Sequence, residues 1–192
     1  MRERNSPQTG KHLGYALVDG GEGAFRGALL VTDFRGIPAD FRYTDPITPS
    51  RIEKILYGSA LDLYIRGELI LESLLGAAEV SPALWICREG DLLAPISKLA
   101  KTRVVMLAPT ARAPLDATGD LEKQNDPCVF DLQADGVSAP LRFTLPDGKG
   151  REEEARAVAE ILVEAASFMD LLEPFSRITR ALSALAEERD GT

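Results

Sequence analysis

Five polar residues gather where a strand hands over to a helix: Arg42, Tyr43, Thr44, Asp45 and Arg51. Two guanidinium groups, a phenol, a hydroxyl and a carboxylate at one corner can bind an anionic small molecule or a partner's carboxylate through charge-assisted hydrogen bonds. The same residues can simply tie the corner, with Arg42 or Arg51 paired to Asp45 and Tyr43 in the core, and Pro-rich corners commonly need such ties. Glu68 and Glu72 stand one helical turn apart, as a pair of carboxylates could at a site or at a helix edge. Asp120-Leu121-Glu122-Lys123 has a nuclease-like set of residue types, but it falls in an expected loop and reads as a solvated charge cluster. Gly20, Gly21 and Gly23 lack the spacing of a phosphate loop and precede a strand, so they read as a turn. The one histidine, His12, cannot alone make a metal site or a positioned catalytic base. No nucleophile-elbow, zinc-protease, Ser-x-x-Lys or nucleotide-loop motif occurs. On this reading the chain has no catalytic residue, no metal site and no cofactor.

The elements that must position these residues begin with Phe25–Gly58. Ala28–Val31 is a short apolar run that suits a buried strand. Asp33-Phe34-Arg35-Gly36 has the residue preferences of a type I turn. From Ile37 to Thr44 apolar and polar residues alternate, which predicts the second strand of a hairpin, with Pro38 at its start or on an edge. Asp45 and Thr48 each precede a proline and are pushed out of helical geometry. Thr48 is then the expected N-cap and Pro49 the first helical residue, with Ile52, Ile55 and Leu56 as one apolar stripe and Gly58 as the C-cap. The run GIPADFRYTDPITPSRIEKILYG, positions 36–58, resembles a stretch shared by a set of uncharacterised bacterial proteins. The resemblance implies a common local fold and carries over no activity and no functional residue.

On either side the pattern continues. Residues 1–11 are polar and expected to be mobile. Leu13, Tyr15 and Leu17 alternate in a first strand. A central helix is expected over 59–78, with Leu61, Tyr64, Ile65, Leu71 and Leu75 on one face and Leu63, Ile70 and Leu74 on the other. Strands at 83–87 and 103–107 flank a short helix interrupted by Pro95, a βαβ-like unit. Residues 108–127 read as a flexible loop, and Cys128–Leu132 with Leu141–Leu145 as a hairpin. A heptad-like helix from Arg151 is broken at Pro174 and followed by a second. The predicted class is α+β: a mostly antiparallel, hairpin-built sheet covered by a central helix pair and a C-terminal helix pair. The expected division is 1–11, a domain over 12–150, and a helical region over 151–192 that covers the domain or a partner.

The chain of 192 residues carries 22 basic and 30 acidic side chains, a net charge of −8. That balance argues against binding to a nucleic-acid backbone or an anionic membrane as the main role. Cys87 and Cys128 fit a reduced, cytoplasmic protein, and no signal peptide or membrane-spanning run is expected. The sequence therefore predicts a non-enzymatic interaction or assembly subunit of a bacterial cytoplasmic complex, meeting another protein chain or a second copy through the C-terminal helices. The alternative is a small-molecule sensor or carboxylate-based enzyme with its site near the Arg42–Asp45 corner.

Overall fold

The computed structural model describes residues 12–20, 23–148 and 151–190; the expected mobile stretch 1–11 lies outside them. Chain order is β1 (His12–Asp19), β2 (Arg26–Asp33), β3 (Pro38–Tyr43), α1 (Arg51–Tyr57), a 3-10 turn (Gly58–Ala60) and α2 (Leu61–Leu63). Next come a π-helical segment (Tyr64–Leu71), α3 (Glu72–Ala77), β4 (Leu84–Cys87), α4 (Gly90–Leu99) and β5 (Arg103–Pro109). The chain closes with β6 (Leu121–Lys123), β7 (Val129–Leu132), β8 (Leu141–Thr144), α5 (Arg151–Ala166) and α6 (Glu173–Asp190). One eight-stranded sheet has the order β3-β2-β1-β4-β5-β8-β7-β6. Strands β1, β4 and β5 are mutually parallel and every other pairing is antiparallel. This is the expected α+β fold. Among the described residues no helix is long and apolar enough to cross a membrane.

Alternation along the strands sends side chains to two cores. On one face Leu13, Tyr15 and Ile86 meet α5 and α6 through Val158, Leu162 and Phe175. On the other, Val18, Leu29 and Trp85 meet the central helix and α4 through Ile65, Ile70 and Ile96. The C-terminal stripes are therefore consumed by the chain's own sheet: Val158, Leu162, Ala165 and Ile178 are fully buried. This removes the surface through which a partner chain or second copy was expected to dock.

The central helix departs from its expected faces for one reason. Its buried residues are Leu61, Ile65, Gly67, Ile70, Leu71 and Leu74, and the large side chains that step along the sheet face are Leu61, Ile65, Ile70 and Leu74. The middle step is five residues, because the π turn inserts one residue and rotates the C-terminal half of the helix. Ile70 and Leu74, assigned to the far face by a 3.6-residue period, thus come round to the sheet. Glu68 and Glu72 are exposed. The helix lies close to β2: a Cβ added to Gly27 would fall 2.4 Å from Ile70 Cγ2.

Helix α1 begins later than expected. Ser50, not Thr48, is its N-cap, in a reciprocal capping box with Glu53. Gly58 ends it at φ 52°. Its apolar stripe is not buried: Ile52, Ile55 and Leu56 are 63%, 66% and 76% exposed. The sheet face on that side is filled by Ile65, Ile70 and Leu74, so α1 lies outside the layer.

The stretch 108–127, expected as a flexible loop, contains β6 and is tied by two buried polar residues of β7 and its turn. Asp131, fully buried, accepts from Arg142 Nε and Nη2 at 2.7 and 2.9 Å and from Arg112 Nη1 at 2.6 Å. Gln133 Oε1 accepts from the Leu115 amide at 2.9 Å, and its Nε2 donates to the carbonyls of Asp135 and Ser138. Of the run Asp120-Leu121-Glu122-Lys123, Leu121–Lys123 form the β6 edge strand rather than a loop, while Glu122 and Lys123 are exposed as expected, Glu122 paired with Arg112 and Lys123 with Glu152.

Replacing Gly27 with Ala forces a methyl group into Ile70 and is expected to destabilise the fold by about 1–3 kcal/mol, read from urea unfolding. Burial alone would raise the Asp131 carboxyl, but the bonds from Arg142 and Arg112 bring it below its usual range. A lowered folded value means that Asp131 stabilises above the unfolded carboxylate range, about pH 4, and ceases to do so as pH falls through the folded value. Asp131→Asn should therefore cost about 1–3 kcal/mol at pH 7, and the gap from wild type should narrow at pH 3.

Candidate functional site

Open sheets with parallel strands receive ligands at the carboxyl ends of those strands. Here β1 is flanked by antiparallel β2 and parallel β4, with Ala16 paired to Cys87. That register brings Asp19, the last residue of β1, and Glu89, two residues beyond β4, to the same edge. Between them a cavity of about 440 Å³ is lined by Asp19, Gly20, Arg26, Arg66, Glu89 and Thr179. Arg26 opens β2, Arg66 comes from the π turn, and Thr179 from α6.

The charges in this cavity are loosely held. Arg26 Nη2 stands 3.3 Å from Asp19 Oδ2, and its Nη1 donates to the Leu182 carbonyl at 3.3 Å. Arg66, only 16% exposed, approaches Asp91 through Nε at 3.0 Å and Nη2 at 3.3 Å. The Nε contact has ion-pair distance but not hydrogen-bond alignment, so that buried nitrogen makes no hydrogen bond among the described residues. Glu89 Oε2 is likewise buried without a partner among them. Burial pushes the Glu89 carboxyl above its usual range, against the pull of its own backbone amide and of Arg66. Next to it, Arg88 lies over the Phe175 ring at 5.7 Å.

The corner singled out in the sequence is held differently. Arg42 turns to Asp40 and Glu79, each at 2.8 Å, and does not pair with Asp45. Asp45 pairs with Arg189 of α6 at 2.7 Å. Thr44 Oγ1 accepts from the Gly27 amide at 3.0 Å, and the Phe25 and Ile47 backbones bond reciprocally, so backbone rather than an Arg–Asp pair fixes the corner. Tyr43 stacks on Phe41 and is half-exposed rather than core. Arg51 is exposed at the start of α1. Tyr43, Thr44 and Asp45 line a second cavity of about 580 Å³, which shares Arg26 and Leu182 with the first; Arg42 and Arg51 do not line it. Cys87 and Cys128 are free and buried, and burial pushes the Cys87 thiol up to about 12.

Sequence reading did not single out Asp19, Arg66 or Glu89. An acid within two residues of the end of each of two apolar strand runs was the available signal. That β1 and β4 are neighbours is a long-range pairing that no local pattern reports.

No protein-family model and no curated protein matches the chain. Solved structures do. The chain is similar to Endonuclease V from Bacillus subtilis at 11% identity and a TM-score of 0.55, over 93% of this chain and 82% of that one. It is similar to human ENDOV at 12% identity and a TM-score of 0.54, over 90% and 86%. Endonuclease V from Streptomyces avermitilis gives 13% and 0.55, over 94% and 85%. The likeness is one of fold. It corrects three expectations together: a non-enzymatic assembly subunit, protein–protein interaction as the main role, and nucleic acid set aside as a partner. The fold is shared with enzymes named endonucleases, and the helices meant to recruit a protein are buried. Net charge averages over the surface and does not report how Arg26, Arg66 and Arg88 are set against Asp19, Glu89 and Asp91 at one edge.

A raised Glu89 value means that its protonated form is favoured by folding; that stability is present below the unfolded carboxylate range and is lost as pH rises through the folded value. Glu89→Gln should accordingly give a higher Tm than wild type at pH 8 and a nearly equal one at pH 4, measured by calorimetry.

Proposed function

We propose that this chain is a nucleic-acid-acting enzyme that hydrolyses phosphodiester bonds at the carboxyl ends of β1 and β4. The observation that carries the reading is the placement of Asp19 and Glu89 on one cavity at adjacent parallel strand ends. The fold shared with Endonuclease V structures supports it. Cation-assisted phosphodiester hydrolysis draws on clustered carboxylates. Among the described residues no group of three or more His, Cys, Asp or Glu side chains could hold a metal ion. The donor set does not fit, and no step is routed through a cation.

In this reading a water attacks phosphorus as the bond from phosphorus to one sugar oxygen breaks. The Asp19 carboxylate takes the proton of the attacking water. Glu89, whose burial favours the protonated form, gives its proton to the leaving oxygen. We further propose a cytoplasmic location, supported by two unpaired buried cysteines.

The test is cleavage of end-labelled single- and double-stranded DNA and RNA, with and without magnesium, followed on denaturing gels. Wild type should cut at least one of these, and Glu89→Gln and Asp19→Asn should each be slower by about 100-fold or more. No cutting of any substrate, or unimpaired cutting by both variants, would overturn the proposal.

A further inference from the structure

The cavity that the proposed hydrolysis uses has more donor capacity facing it than its own residues satisfy. Arg66 is mostly buried on the π turn, yet its Nε makes no hydrogen bond among the described residues and its Nη2 is 3.3 Å from Asp91. Its Nη1 turns toward Gly20, 3.8 Å from where a Cβ on that residue would sit. Across the cavity both contacts of Arg26 are 3.3 Å long. Well-formed charge-assisted bonds are nearer 2.7–2.9 Å. Buried polar groups left underused in a folded protein call for a ligand or another explanation. Glu89 adds a third group of the same kind, because its buried Oε2 has no partner among the described residues. The carboxylates present do not forbid an anion: Asp19 and Asp91 are each offset by one of the two arginines.

We infer that Arg26 and Arg66 form a clamp for one phosphodiester group of a nucleic-acid strand over Gly20, with Asp91 holding Arg66 in place until the phosphate arrives. The inference rests on the proposed site and assigns what recognises the substrate there. Two guanidinium forks lining one cavity match the several acceptor oxygens of a phosphate, which a single carboxylate ligand does not offer. Gly20 leaves the floor of the cavity without a side chain. Asp91 is more exposed than Arg66 and can return to water when displaced.

Binding is read by fluorescence anisotropy of a labelled single-stranded oligonucleotide, with inorganic phosphate and a mononucleotide as competitors, and with circular dichroism to confirm that each variant is folded. Arg66→Gln and Arg26→Gln should each weaken oligonucleotide binding about 10- to 100-fold. Each should also reduce the slope of log affinity against log salt by about one. Asp91→Asn, which releases Arg66, should tighten binding several-fold. Wild-type affinity and salt slope in folded Arg66→Gln would overturn the clamp, as would weaker binding in folded Asp91→Asn. Competition by inorganic phosphate as strong as that by oligonucleotide would assign the site to free phosphate and overturn the nucleic-acid assignment. The two proposals fail separately. Arginine-dependent binding without cleavage by any form removes the hydrolase and keeps the clamp. Cleavage with unimpaired Arg66→Gln does the reverse.

Discussion

Ile70 stands where a side chain on Gly27 would be. That contact fixes how near the central helix comes to β2, and much of the architecture depends on it. A helix one methyl further out would leave Val18, Leu29 and Trp85 without the cover that Ile65, Ile70 and Leu74 now give them. It would also carry Arg66, one residue beyond Ile65, away from the carboxyl edge of the sheet. The π turn and the glycine act together. The five-residue step from Ile65 to Ile70 keeps apolar residues on the sheet, and the missing Cβ lets them reach it. Gly14 serves β4 in the same way, since a Cβ there would fall 2.3 Å from the Trp85 ring.

Most strands were legible because their alternation is local. Leu13, Tyr15 and Leu17 identify β1, and Phe130 with Leu132 identify β7, without knowledge of the partner strands. The helical faces were less so. A fixed 3.6-residue period cannot register an inserted residue, so it places Ile70 and Leu74 on the face opposite Leu61 and Ile65. The stripe of α1 was correctly periodic, but periodicity does not say whether a free sheet face exists to receive it. The Asp131 centre joins two strands of the predicted hairpin, but the register that sets Asp131 directly opposite Arg142, where opposite charges attract, is seen only in the structure. The proposed site was hidden for a different reason. Asp19, Arg66 and Glu89 come from three elements, and only the parallel pairing of β1 with β4 and the π turn bring them together.

The charge distribution shows why totals are poor guides to partners. Acidic residues dominate the composition, yet many are matched locally: Asp131 by Arg112 and Arg142, Asp45 by Arg189, Glu152 by Lys123. What a ligand meets at the carboxyl edge is set by Arg26, Arg66 and Arg88 against Asp19, Glu89 and Asp91, at distances where the Debye length is no longer the relevant scale.

The sheet's two outer strands have a bearing on behaviour in crowded solution. An eight-stranded sheet ends in two unpaired rows of amides and carbonyls, each a potential template for a foreign strand. Here β3 begins at Pro38, carries Asp40 and Arg42, and joins β2 through a register shift between Val31 and Thr32. At the other end β6 is three residues long and bears Glu122 and Lys123. Proline, charge, irregularity and brevity all work against the addition of a ninth strand. A chain with so much central β-structure is thereby shielded from fibre-like self-assembly at both margins.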